Sequence, residues 1–225
     1  WLDKNPVAKV KFLREPQRKL RFLDTDEVRR LIDNCPSQLR PVIITALNTG
    51  MRRGEILNLK WENVDLKNRI IYLTDTKSGG SREIPINSML FYLLTGLFKQ
   101  ADADYVFGNK LGKQYSDIRT AFKTALKYAR IKNFRFHDLR HTFASHLAMA
   151  GVDLLSVKEL LGHKELEMTL RYAHLSPDHK KAAVEVLSAR FYNNATDTLW
   201  TPGENREKKQ GKENNSYIEH RMKHQ

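Results

Sequence analysis

Residues 136–176 read FHDLRHTFASHLAMAGVDLLSVKELLGHKELEMTLRYAHLS, and this stretch decides the fold. From His137 to Ala150 the apolar side chains recur at steps of three and four residues, which predicts an amphipathic helix with one buried face. Gly151 is a natural end for that helix. A second, short helical stretch ends at Leu161-Gly162-His163, and Tyr172 follows nine residues after His163.

Polar side chains within this stretch are candidates for chemistry. His137 and Arg140 are three residues apart, so they are neighbours on the helix surface, and Arg140 lies at the edge of the apolar face. An arginine in that place needs an anion, which is either a structural carboxylate or a ligand. A single tyrosine such as Tyr172 most often packs in a core. The functional interpretation therefore depends on the whole set and its spacing.

The stretch resembles the signature of the tyrosine recombinases, the phage integrase family, in which His-x-x-Arg is followed by Leu-Gly-His and then by a tyrosine about nine residues on. The family also has an arginine in a Thr-Gly-Leu-Arg-x-x-Glu context. Residues 49–55, TGMRRGE, are similar, with a near-isosteric Met in place of Leu. The resemblance identifies Arg52, rather than Arg53, as the first catalytic arginine, and Glu55 is placed to brace it.

The residues around this arginine support a defined local structure. Leu39 to Asn48 is an apolar helical stretch, and Gly50 is expected to end it in the left-handed conformation. Arg52 would then be held on the turn that enters the next helix. The alternative for Glu55 is an ordinary carboxylate on a helix surface.

A β-hairpin is predicted further along the chain. Residues 69–74 (RIIYLT) and 82–86 (REIPI) are β-branched alternating runs separated by a segment that contains Gly79-Gly80. Lys77 in this segment matches the position of the family's catalytic lysine. A lysine near a hairpin turn is usually only solvated, so this assignment comes from the resemblance.

The resemblance implies a site that cleaves a phosphodiester with a tyrosine, and its catalytic residues would be Arg52, Lys77, His137, Arg140, His163 and Tyr172. Two guanidiniums can bind a phosphate bidentately and stabilise the charge that develops on its oxygens, so that a phenol can attack. The family roles make Lys77 the general acid, His137 an aid to deprotonation of the tyrosine and His163 a hydrogen-bond donor to phosphate. No metal and no nucleotide cofactor is expected.

The charge of the chain fits a nucleic-acid partner. There are 39 Lys and Arg against 26 Asp and Glu, a formal net charge of +13, and such a surplus favours binding to duplex DNA. Residues 1–23 are the most basic segment and resemble the family's interdomain linker, which predicts DNA contacts from Lys9, Lys11, Arg14, Arg18, Lys19 and Arg21. We expect the family's N-terminal DNA-clamping domain to be missing from this sequence.

The predicted fold class is α+β: one mostly helical domain with a small antiparallel sheet. Residues 1–23 form the basic linker, 24–191 the catalytic domain and 192–225 a polar tail that is disordered or depends on a partner. The further predicted helices are Asp26–Cys35 behind a capping box that starts at Asp24, Ser88–Gln100 behind an Asn87 cap, Ser116–Arg130 and Asp178–Arg190.

Composition also sets limits on location and on cofactors. Cys35 is a single cysteine, which excludes an internal disulfide and suggests a reducing, cytoplasmic compartment. No apolar run approaches the length that spans a bilayer. His137 and His141 form an i, i+4 pair that could bind zinc, but no cysteine or carboxylate completes a tetrahedral ligand set.

Four functions remain open from the sequence. The favoured one is a site-specific DNA recombinase or integrase of a mobile element or chromosome-resolution system, which forms a 3′-phosphotyrosyl intermediate and works as a tetramer on two duplexes. The second is a type IB topoisomerase or hairpin resolvase with the same chemistry. The third is a non-catalytic DNA-binding protein on this fold, and the fourth is a basic RNA-binding module, which a stacked-aromatic motif would have favoured.

Overall fold

The computed structural model describes residues 20–74, 80–101, 103–108, 113–115 and 117–176, together with 184, 186, 187, 190 and 191. The chain divides into two compact units, Trp1–Pro177 and Asp178–Gln225. Every site residue discussed below belongs to the first unit. Most of the predicted helix Asp178–Arg190 and the whole predicted tail 192–225 lie outside the described residues. The predicted domain boundaries at 23/24 and 191/192 stay predictions.

The first unit is mostly helical with one small sheet, as predicted. Its described helices are α1 (Thr25–Asp33), α2 (Arg40–Thr49), α3 (Arg53–Leu57), α4 (Ser88–Phe98), α5 (Arg119–Tyr128), α6 (Asp138–Met149), α7 (Leu154–Leu161) and α8 (Glu167–Leu170). Its strands are β1 (Val64–Asp65), β2 (Ile70–Leu73) and β3 (Arg82–Pro85). None of the helices in the described ranges is both long and apolar enough to cross a membrane.

The sheet is antiparallel in the order β1-β2-β3. Strands β2 and β3 form the predicted hairpin, with Ile70 opposite Pro85 and Leu73 opposite Arg82. The hairpin connection, residues 75–79, lies outside the described residues. Strand β1 was not predicted, because two residues carry too short a pattern to be recognised.

Local signals in the sequence set several helix ends. The Asp24 side chain accepts a hydrogen bond from the Glu27 backbone N–H, and the Glu27 side chain accepts one from the Asp24 backbone N–H, so the predicted capping box is confirmed. Asn87 caps α4 through the backbone N–H of Leu90. These caps satisfy N–H groups that have no partner within the helix.

Gly50 determines how closely α2 and α6 can approach. It ends α2 in the predicted left-handed conformation, with φ of 62°. A Cβ added there would lie 2.4 Å from Cδ1 of Phe143, so α6 packs against the bare backbone of this glycine. Only glycine provides both the backbone conformation and the space.

The described core consists of two clusters. The larger joins α1 to α5, the sheet and the start of α6, and it includes Cys35, whose pKa burial raises to about 11. The smaller is formed by Ala144 and Ala148 of α6, Val157 and Leu161 of α7, and Tyr172. The candidate nucleophile is therefore also a core residue of the second cluster.

Candidate active site

Arg140 connects the segment around Arg52 with the segment around His163. Its side chain donates from Nη1 to the carbonyl oxygen of Gly50 (2.8 Å) and from Nη2 to that of Leu161. Gly50 lies just before Arg52, and Leu161 lies just before His163, so one buried side chain fixes both segments. Arg140 is 4% exposed, and burial followed by the charge of Arg52 lowers its pKa to about 10. It remains a cation at neutral pH.

Among the described residues, Arg140 forms no salt bridge to a structural carboxylate. Both Nη contacts of Arg140 are to backbone carbonyls, which orient a guanidinium without neutralising its charge. The Arg140 cation therefore keeps its capacity to attract an anion.

Arg52 lies on the turn between α2 and α3, where Glu55 holds it. The Arg52 Nη1 group donates to Glu55 Oε1 (2.8 Å), and the Arg52 backbone N–H donates to Oε2 (2.8 Å). Arg82 of β3 donates to the same carboxylate over 2.7 Å. Burial would raise the pKa of Glu55, but hydrogen bonds from Arg82 and Arg52 outweigh it, so the pKa is lowered and the carboxylate stays ionised.

His163 follows Gly162, which ends α7 with φ of 63°. A Cβ on Gly162 would come within 2.7 Å of the Arg82 guanidinium, so this glycine leaves room for the arginine. His163 Nδ1 is 2.8 Å from the hydroxyl of Thr169, a fully buried side chain. Burial and the charge of Arg140 lower the pKa of His163 to about 4, so the imidazole is neutral at pH 7.

Two short helical turns, one before and one after Tyr172 in the sequence, position its backbone. Its backbone N–H donates to the Thr169 carbonyl (3.0 Å), and its own carbonyl accepts from Leu175 (3.0 Å). The side chain is 1% exposed, and its hydroxyl is 2.7 Å from Nδ1 of His141. Burial raises the pKa of Tyr172, although the charges of Arg171 and Arg140 oppose this. The phenol is protonated at neutral pH.

His137 precedes α6 and is exposed. Its ring is 5.0 Å from that of His141, in an edge-to-face arrangement. Partial desolvation of the imidazole lowers the pKa of His137, and the positive charge of Arg140 lowers it further. The histidine in hydrogen-bond contact with Tyr172 is thus His141 and not His137.

Of the remaining predicted site residues, Lys77 and the basic residues of the linker, only Arg21 is among the described residues. Lys77 lies outside the described residues, as do Lys9, Lys11, Arg14, Arg18 and Lys19. Arg21 is described, and both of its Nη groups donate to the Glu27 carboxylate, Nη1 to Oε2 over 2.9 Å. Its guanidinium is therefore already engaged within the protein. Its predicted contact with DNA stays a prediction.

Three residues of the site were not singled out from the sequence. The sequence indicates His141 only as a possible zinc ligand, although its position directly after Arg140 on the same helix places it next to the site. Thr169 and Arg82 have no local pattern of their own. Both are buried polar side chains, and such groups need partners, but those partners become visible only once the chain is folded.

The assembled site suits a tetrahedral anion beside a phenol. The cations Arg52, Arg82 and Arg140 lie close enough to influence one another, and Glu55 balances part of their charge. Planar guanidiniums match the oxygens of a phosphate. Within the described ranges, no three His, Cys, Asp or Glu side chains are grouped so as to hold a metal ion.

Fold and site together define the class of this protein. The catalytic domain of bacteriophage HP1 integrase matches the structure with a TM-score of 0.61 and 34% identity, over 76% of this chain and 97% of that domain. The fold is that of a tyrosine recombinase catalytic domain. A small antiparallel sheet beside a helical core is present as the resemblance implied.

The chain belongs to the phage integrase family, whose model matches residues 21–179. The integrase of Salmonella phage P22 is 36% identical over 79% of this chain and 49% of its own length. Tyrosine recombinase XerA of Pyrococcus furiosus is 29% identical over 76% of this chain and 63% of its own length. The chain spans about half the length of the phage integrases it matches.

Proposed function

We propose that this chain is the catalytic part of a site-specific DNA recombinase that cuts and rejoins DNA strands through a 3′-phosphotyrosyl intermediate. One observation carries the proposal. The fold brings Arg52, Arg140, His163 and Tyr172 from separate segments into one buried or half-buried cluster, and Arg140 hydrogen-bonds the backbone next to both Arg52 and His163. Family membership supports the same activity.

In the proposed reaction, the scissile phosphate is bound by Arg52 and Arg140. Their positive charges stabilise the additional charge on the non-bridging oxygens as the Tyr172 oxygen attacks phosphorus. His163 donates a hydrogen bond to one of these oxygens, and its contact with Thr169 fixes the ring. The leaving 5′ oxygen takes a proton from Lys77, the role that the resemblance gives to this residue.

The burial of Tyr172 adds a requirement. A phenol that is 1% exposed is not in contact with solvent, and so not with a phosphate on the protein surface. We propose that DNA binding shifts the segment after His163 so that the hydroxyl is uncovered to the phosphate while it stays beside α6. This segment consists of a four-residue helix and a three-residue turn, which can move without disrupting a long helix.

The proposed partner is double-stranded DNA, with four copies of the protein on two sites. The basic arm, from Lys9 to Arg21, would follow the phosphates of the duplex. An N-terminal DNA-binding domain, as the relatives' greater length suggests, would hold the opposite face, and the reaction would take place in the cytoplasm. The names of the relatives, integrase and tyrosine recombinase, favour strand exchange over the topoisomerase or non-catalytic alternatives.

The test is covalent trapping. The protein is incubated, without metal or nucleotide, with nicked duplexes whose sequence around the nick is randomised, and SDS-stable adducts are separated by electrophoresis. Cleavage next to a nick releases a short fragment, so the adduct accumulates. The proposal expects an adduct with the wild type and none with Tyr172→Phe, and sequencing of the trapped DNA identifies the target. An adduct of equal yield with Tyr172→Phe would exclude Tyr172 as the nucleophile.

A further inference from the structure

We propose that His141 positions the phenol of Tyr172 and takes its proton during strand cleavage. This inference rests on the proposed function, because it concerns the nucleophile of that reaction. It moves the role of deprotonating Tyr172 from His137, where the resemblance placed it, to the next histidine along α6.

The contact geometry supports this assignment. His141 Nδ1 and the Tyr172 hydroxyl are 2.7 Å apart, a normal length for a hydrogen bond to a hydroxyl, and the two ring centroids are 6.0 Å apart. His141 directly follows Arg140 on α6, so the backbone that holds the phosphate-binding arginine also holds the partner of the nucleophile. The His137 ring packs edge-to-face against the ring of His141.

The charge states determine the direction of the hydrogen bond. Burial, followed by the charge of His137, lowers the pKa of His141 to about 4, whereas the pKa of Tyr172 is raised. At pH 7 the imidazole is therefore neutral and the phenol is protonated. The hydroxyl donates to Nδ1, and the ring proton is on Nε2.

A bound phosphate changes the basicity of His141. The titratable and charged groups that face it are His137, Asp138, Arg140, His163, Arg171 and Tyr172. In the free protein the two arginines disfavour a positive imidazole. A phosphodiester bound to Arg140 brings negative charge, which favours the protonated imidazole. His141 is thus a weak base before DNA binds and a stronger one afterwards.

His141 also has a route to water. It lines a cavity of about 570 Å³ together with Arg135, Asp138 and Arg171. A cavity of this size with charged side chains in its lining has room for water molecules, which could exchange protons with the imidazole. The buried phenol therefore communicates with solvent through His141.

The proton and bond changes balance. As the bond from the Tyr172 oxygen to phosphorus forms, the O–H bond of the phenol breaks and its proton moves to Nδ1 of His141. The bond from phosphorus to the 5′ oxygen breaks, and that oxygen takes a proton from the general acid proposed as Lys77. On religation the 5′ hydroxyl attacks phosphorus and gives its proton back to the general acid, while the bond from phosphorus to the Tyr172 oxygen breaks and His141 returns its proton to that oxygen.

The experiment measures single-turnover adduct formation on the DNA sequence recovered in the trapping assay, from about pH 6 to pH 9. His141→Asn keeps an acceptor oxygen close to the position of Nδ1 but cannot take a proton, and His141→Ala removes both properties. His146→Asn is the matched control, because it replaces another half-buried histidine of α6, whose Nε2 contacts the Leu23 carbonyl over 2.8 Å. Thermal unfolding and DNA affinity are measured for every variant.

The expected result has two parts. At pH 7, His141→Asn slows adduct formation by about 100-fold or more, which is the usual contribution of a general base, while DNA affinity is unchanged. Its rate then rises roughly tenfold per pH unit, because the phenol must lose its proton to solvent, whereas the wild type is flat from about pH 6 to pH 8. His146→Asn keeps the wild-type rate and pH profile.

Two outcomes overturn the inference. If His141→Asn reacts at the wild-type rate, His141 has no part in the step. If it is slow but keeps a flat pH profile, His141 serves only as structural support. A wild type that forms no adduct at all would count against the proposed function instead, so the two failures are distinguishable. If His141→Ala does not fold, the comparison rests on His141→Asn.

Discussion

Replacing Glu55 with glutamine tests whether its carboxylate holds the arginine cluster together. The side chain is 12% exposed and accepts from Arg52 over 2.8 Å and from Arg82 over 2.7 Å. The amide has the same shape but leaves Arg82, which is 8% exposed, and Arg52, which is 31% exposed, without a counter-charge. Breaking a buried ion pair in this way costs about 3–5 kcal/mol. At about 2–4 °C per kcal/mol for a chain of this size, we expect Tm to fall by at least about 6 °C.

The matched control is Glu62→Gln. Glu62 is 3.4 Å from Lys60, but the two side chains are 70% and 40% exposed, and such a surface pair contributes about 0–1 kcal/mol. The assay is thermal unfolding followed by circular dichroism, with urea unfolding as a second measure. Equal Tm values for Glu55→Gln and Glu62→Gln would refute the argument, because burial would then make no difference to how much an ion pair contributes to stability.

The pH dependence provides an independent check of the same reasoning. The pKa of Glu55 is lowered in the folded protein from its ordinary value of 4.5. Its contribution to stability is therefore fully present above pH 4.5 and is lost as the pH falls through the folded-state pKa. The difference in Tm between wild type and Glu55→Gln should be constant from neutral pH to about pH 5 and become smaller below that. A difference that grows on acidification would contradict the assigned charge state.

Three further predictions concern the backbone and the chemistry of the site. Gly50→Ala should lower the free energy of unfolding by about 2–5 kcal/mol: about 1–2 kcal/mol for the left-handed backbone conformation and about 1–3 kcal/mol for displacing the ring of Phe143. The control is Gly54→Ala, whose added Cβ would meet open space. It should be neutral or slightly stabilising, and urea unfolding measures both variants. Thr169→Val should lower the rate of adduct formation by about tenfold, the equivalent of one hydrogen bond, and Thr169→Ser should restore it; equal rates would show that the contact with His163 has no role. Lys77→Ala should slow cleavage of ordinary DNA by about 100-fold or more. The same variant should cleave DNA that carries a bridging 5′ sulfur at the wild-type rate, because a thiolate leaves without a proton.

Much of the fold follows from local patterns. The apolar spacing from His137 to Ala150 predicted α6, which is observed as Asp138–Met149, and the alternating runs around Gly79-Gly80 predicted the hairpin of β2 and β3. The capping box at Asp24 and the end of α2 at Gly50 are also as predicted. Each of these signals involves residues within a few positions of one another, so a single sequence contains them. Strand β1 depends on pairing with β2 and has no such signal.

For the site, the sequence supplied the list of candidates but not their contacts. The spacing of Arg140, His163 and Tyr172 identified a family, and with it Arg52 and Lys77, because the type and order of these residues are properties of the chain. The hydrogen bond between His141 and Tyr172 joins residues 31 positions apart, and that from Arg140 to Gly50 joins residues 90 apart. No local pattern predicts such pairs, because they depend on how α2, α6 and α7 pack.

The sequence alone determined the positions of most helices, the hairpin, the excess of positive charge and the residues that we propose to cut a phosphodiester. Only the tertiary structure decided that Tyr172 is buried against His141, that Arg140 is held by two carbonyls and that Arg82 shares Glu55 with Arg52. The physical reason is that burial and pairing arise when distant segments exclude water together. Those effects set the pKa values of the site, and therefore which groups can give or take a proton.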